Sequence, residues 1–108
     1  MNAVKSDVEK LVQKELESAN QRFPMFRSDH EGYAVIKEEI EESEQALENT
    51  KVYLNLLWIG VKVNLVHERN IKYLKRYAEG LACEAIQVAA MAQKFIDSQK
   101  ERDNHENY

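Results

Sequence analysis

Apolar residues recur at helical spacing almost from the start of the chain. Val4, Val8, Leu11, Val12, Leu16 and Ala19 follow a 3.6-residue period with charged and amide side chains between them. That pattern predicts an amphipathic helix over about residues 3 to 20. Pro24 ends the stretch. "SDHE" then has the form of a capping box, Ser28 at the N-cap and Glu31 three residues on. A second helix is expected from about Asp29 to Glu48, with Asn49 or Thr50 capping the next.

The following segment, "KVYLNLLWIGVKVNLVHE", is apolar on most sides; Lys51, Asn55, Trp58 and Lys62 make its only mostly polar stripe. A helix apolar nearly all round is a buried one. In a chain of 108 residues, burying it calls for a second subunit. A fourth helix is expected over about residues 70 to 99. The break before it falls either at "HERN" or nearer Gly80. The polar end, residues 98 to 108, is expected to fray. With three glycines and one proline there are few places for turns. The expectation is one all-α domain spanning residues 1 to 108, with its core over about residues 23 to 97. It would be a bundle of about four helices completed by oligomerisation.

Charge narrows the function. Charged residues make up 31% of the chain, of both signs, and the formal net charge is -4. A broad nucleic-acid surface needs an excess of Lys and Arg, so no nucleic-acid partner is expected. The most apolar run is interrupted by Asn55, Lys62 and Asn64, so no membrane span is expected either. One cysteine, Cys83, permits no intrachain disulfide and is expected to pack as a small apolar residue. The charged first twenty residues carry no signal peptide, and a cytoplasmic setting is expected. His30, His67 and His105 have no partner at metal-ligand spacing.

The candidate chemistry lies in carboxylates that stand where apolar residues belong. At 100° per residue, Val35, Ile36, Ile40, Ala46 and Leu47 cover an arc of about 140° on the second helix. Glu39 falls inside that arc, Glu42 just past its edge and Glu38 further out; Glu41, Glu44 and Glu48 point to the opposite, solvated side. A carboxylate on a buried stripe is costly unless it is paired, protonated or bound to a metal. The fourth helix repeats the anomaly. Glu84 flanks an apolar arc of Ala78, Leu81, Ala85, Val88, Ala92 and Phe95, and Gln87 follows three residues on. Small residues there let another helix approach closely. Acids from two helices gathered across a short gap make a hard-cation site for Mg²⁺ or Mn²⁺.

"HEGYAVIKEEIEE" and, later, "EAIQVAAMA" resemble the MazG-like nucleoside triphosphate pyrophosphohydrolases of the all-α NTP pyrophosphatase superfamily, over roughly residues 23 to 97. The family pattern is E-E-x-x-E on one helix and E-x-x-D on the next. Glu38, Glu39 and Glu42 match the first part. Glu84 matches the second, with Gln87 where the family has Asp. The resemblance implies Mg²⁺-dependent hydrolysis of a nucleoside triphosphate between its α- and β-phosphates, giving the monophosphate and pyrophosphate. It implies Glu39, Glu42 and Glu84 as metal ligands, Gln87 as a fourth, and Glu38 as a further ligand or the group that orients water. It also implies a homodimer or homotetramer. The alternative expectation is a non-catalytic helical oligomeric interaction module whose site has decayed at Gln87.

Overall fold

A computed structural model describes residues 3–106, with the side chains of residues 3–104. His105 and the far end of the expected tail lie outside the described side chains. All the regular structure among the described residues is helical: α1 (Lys5–Arg22), α2 (Asp29–Lys62) and α3 (Glu68–Glu106). None of these helices is long and apolar enough to cross a membrane. The chain forms two compact units. The first takes α1, α2 through Ile40 and α3 from Ala85; the second is Glu41–Glu84.

Three helices replace the four expected, because the anticipated second and third are one. Thr50 was a candidate N-cap for a new helix. Its hydroxyl instead donates to the Ala46 carbonyl at 2.8 Å, a bond to the preceding turn that satisfies the side chain inside a continuing helix. Asn49 is likewise engaged within the helix, accepting from Gln45 Nε2 at 3.2 Å. The real break falls at residues 63–67 and ends on the first residue of "HERN". Asn64 adopts the left-handed conformation at φ 53°. The Leu65 N–H reaches the Gly60 carbonyl at 3.0 Å and the Asn64 N–H the Val61 carbonyl at 3.4 Å. This pair of bonds around a left-handed Asn is a Schellman closure, and it satisfies carbonyls at the end of α2.

In the first unit, Ser28 caps α2 as its sequence position suggested, accepting from the Glu31 N–H at 3.1 Å. Leu16 and Ala19 of α1, Phe26 of the linker, and Ala90 and Met91 of α3 form the buried core, with Val12, Val35, Ile36 and Phe95 packed against it. The linker is pinned to α3. The Phe26 N–H donates to Ser98 Oγ at 2.9 Å, and Arg102 Nη1 donates to the Phe26 carbonyl at 2.9 Å. Arg102 also pairs with the Asp29 carboxylate. These contacts correct the expected fray from residue 98: α3 stays helical to Glu106, because Ser98 and Arg102 satisfy backbone groups that the linker cannot satisfy for itself. Gly32 lies where a Cβ would press on the rings of Phe95 and Phe26, so α2 can approach α3 only with no side chain there.

The second unit is organised around aromatic rings. Tyr53 stacks on Tyr73 and on Tyr77, each with centroids 5.2 Å apart. Arg69 and Arg76 lie over the Tyr73 ring at 5.4 and 5.3 Å. Its other apolar side chains are largely uncovered: Val52, Leu54, Leu56, Trp58, Ile59, Val61, Val63, Leu65 and Val66 are all exposed. A segment read from its composition as buried is therefore not buried by this chain alone. Cys83 is also exposed rather than packed.

Candidate metal centre

Within the second unit, the carboxyl groups of Glu42 of α2 and Glu84 of α3 lie close together, with an oxygen of each within 4.8 Å of the other. The Glu84 carboxyl is pushed above its ordinary value of 4.5, first by its partial burial, then by the charge of Glu42. One helical turn before Glu42, Glu39 is half-buried, as its position on the apolar arc of α2 implied. Glu39, Glu42 and Glu84 each offer an oxygen, and these three atoms lie within 4.8 Å of one another.

That spacing can be compared with what an ion demands. Mg²⁺ binds oxygens at about 2.0–2.1 Å, so two ligands on opposite sides of it stand about 4.2 Å apart. Only one pair of three ligands can lie opposite; the other pairs are adjacent at about 3 Å, so binding would draw these oxygens, now within 4.8 Å, together by up to about 2 Å through rotation of flexible Glu side chains. Three carboxylates on a six-coordinate ion leave half its positions for water or phosphate oxygens. The donor set is all oxygen and acidic, which suits a hard cation and does not suit Zn²⁺ or Cu²⁺.

Glu38 is exposed and lies outside this group of three, one residue from Glu39 on α2. Gln87 is half-buried, and with Glu39 it lines a cavity of about 550 Å³ in the first unit. The wall of that cavity also includes Phe23, Phe26, Arg27, Met91 and Lys94. Glu41, Glu44 and Glu48 are exposed, as expected of the solvated face. His30 is exposed at the start of α2.

One residue of this neighbourhood went unnoticed in the sequence. Lys94 is 2% exposed, beside Met91 and one turn before the buried Ser98. The buried face of α3 in the first unit runs through Ala90, Met91, Lys94 and Ser98, while Ala85 and Ala92 of the expected apolar arc are exposed. The available signal was spacing alone: positions 87, 90, 91, 94 and 98 form a helical stripe once polar residues are admitted to it. No family model, curated protein or solved structure matches the chain.

Proposed function

We propose that the chain is a metal-dependent nucleotide pyrophosphohydrolase, cleaving a nucleoside triphosphate between its α- and β-phosphates to a monophosphate and pyrophosphate. One observation carries the reading: three carboxylates from two helices with oxygens within 4.8 Å of one another. Like charges gathered so closely repel one another, and a divalent cation held among them would offset that repulsion. Glu39, Glu42 and Glu84 are the ligands in this reading, and Gln87 contributes a neutral carbonyl oxygen beside Glu39. A divalent ion held there supplies positive charge for phosphate oxygens and acidifies water. Glu38, exposed next to Glu39, is placed in the sequence to orient the attacking water and accept its proton. The similarity of "EEIEE" and "EAIQ" to the MazG-like pattern supports the same reaction.

In the same reading the working form is a homodimer or homotetramer. The row of exposed apolar residues from Val52 to Val66 supports it, since monomeric soluble proteins rarely leave such a patch uncovered. That row, with the neutral Gln87, also favours the second reading: an oligomeric helical module with no turnover.

A panel of ribo- and deoxyribonucleoside triphosphates, assayed for pyrophosphate release with Mg²⁺ and with EDTA, separates the two. The enzyme reading expects Mg²⁺-dependent release from at least one substrate, abolished in Glu39→Gln. No release across the panel from folded protein rejects it in favour of the module.

A further inference from the structure

We propose that the cavity walled by Lys94 receives the phosphate chain of the nucleotide, with the Lys94 ammonium and the Arg27 guanidinium as its anion contacts. The naming of the ligand rests on the pyrophosphohydrolase reading; the anion site rests on the cavity itself.

Lysine is almost never fully buried without a partner. Lys94 is 2% exposed. Among the described residues it makes no ion pair and no hydrogen bond; its ammonium sits 5.1 Å from the centroid of the Phe26 ring and feels Glu31 only at longer range. A contact with a ring face leaves its N–H donors without acceptors. Burial outweighs Glu31 and drives the ammonium below its ordinary value of 10.5, the mark of a charge that its surroundings under-compensate.

Lys94 lines the cavity of about 550 Å³, a volume typical of small-molecule sites. Arg27 stands exposed on its edge. Phe23 and Met91 give it apolar wall, while Glu15, Glu31 and Glu39 line it beside Arg22, Arg27 and Lys94, so an anion must seat on the cations and away from these carboxylates. A phosphate chain lying on Lys94 and Arg27 would share this cavity with Glu39. An anion there supplies the acceptors Lys94 lacks, through charge-assisted hydrogen bonds.

Inorganic pyrophosphate in EDTA is the probe, titrated calorimetrically into the wild-type chain and into Lys94→Met, Arg27→Ala and Glu84→Gln. The wild type is expected to bind. Lys94→Met should weaken binding by about 10- to 100-fold, the scale of a lost charge-assisted hydrogen bond, without lowering Tm. Arg27→Ala should weaken it less, and Glu84→Gln should leave metal-free binding intact. As an independent readout that needs no variant to fold, NMR of the lysine Nζ should show the Lys94 pKa rising on saturation. Unchanged affinity in Lys94→Met, no pyrophosphate binding by the wild type, or a Lys94 pKa indifferent to pyrophosphate would each overturn the proposal. Pyrophosphate binding through Lys94 in a chain that hydrolyses no triphosphate would uphold the anion site and reject the pyrophosphohydrolase reading. Hydrolysis with KM unchanged in Lys94→Met would do the reverse.

Discussion

Replacing Glu84 with Gln should stabilise the metal-free protein, although Glu84 is central to the proposed site. The reason is repulsion. Two unit charges 4.8 Å apart, the outer limit for this group, repel by about 0.9 kcal/mol at the dielectric of water and by about 3.5 kcal/mol at an effective value of 20. Glu84 is only partly buried and Glu42 is exposed, so the lower figure governs. Two such pairs, screened at about 0.1 M salt, come to about 1 kcal/mol. A Gln amide at this position can also donate to Glu42.

The expected gain for Glu84→Gln in EDTA near neutral pH is thus about 1 kcal/mol, or roughly 4–8 °C in Tm for a chain of this size. The gain should depend on pH. Because the folded protein raises the Glu84 pKa above 4.5, the folded state binds more protons than the unfolded one between those two values. Wild-type stability from this group is therefore full below pH 4.5 and lost as pH rises through the raised pKa. The variant lacks that loss, so the two proteins should converge toward pH 4.5. Urea or thermal melts across this range decide it. A variant less stable than wild type near neutral pH, or a difference that does not change with pH, would refute the crowding of charges at this point.

Three further outcomes follow from other contacts. Gly80→Ala has open space around the new methyl group and removes a helix-interior glycine, so it should raise stability by about 0.5–1 kcal/mol. Gly32→Ala drives the same methyl into the Phe95 and Phe26 rings, and thermal melts should show a net loss of about 1–3 kcal/mol. Ser98→Ala leaves the Phe26 N–H without its buried acceptor and should cost about 1–3 kcal/mol by urea denaturation, with faster amide exchange at Phe26. Lys94→Met should hold or raise Tm at neutral pH, since it removes a buried cation. Wild-type stability should climb as pH rises from the lowered Lys94 pKa toward 10.5, where the unfolded chain binds more protons, and this climb should vanish in the variant.

The helical character of the chain, the α1 pattern and the Ser28 cap were legible because each depends on neighbours in sequence. The nearness of Glu39, Glu42 and Glu84 could be anticipated from Glu39 on one apolar arc and Glu84 at the flank of another, while Glu38 and Gln87 of the expected set lie outside that group. What escaped the sequence depends on distant partners. Thr50 can cap a new helix or bond back to the turn before it, and composition does not distinguish the two. Ser98 and Arg102 looked like the start of a frayed tail because their value lies in the Phe26 backbone, more than seventy residues away. Lys94 was passed over because the apolar arc was drawn from hydrophobicity. The stripe that is actually buried admits a lysine over an aromatic ring and a serine that serves a backbone N–H.

Mn²⁺ titration followed by electron paramagnetic resonance tests most directly whether Glu39, Glu42 and Glu84 hold a divalent ion. Saturable loss of the free-ion signal at about one ion per chain is expected, displaced by Mg²⁺ and lost in Glu39→Gln and in Glu84→Gln. A folded wild-type chain that leaves the free Mn²⁺ signal undiminished, or that binds it equally after either substitution, would contradict the claim.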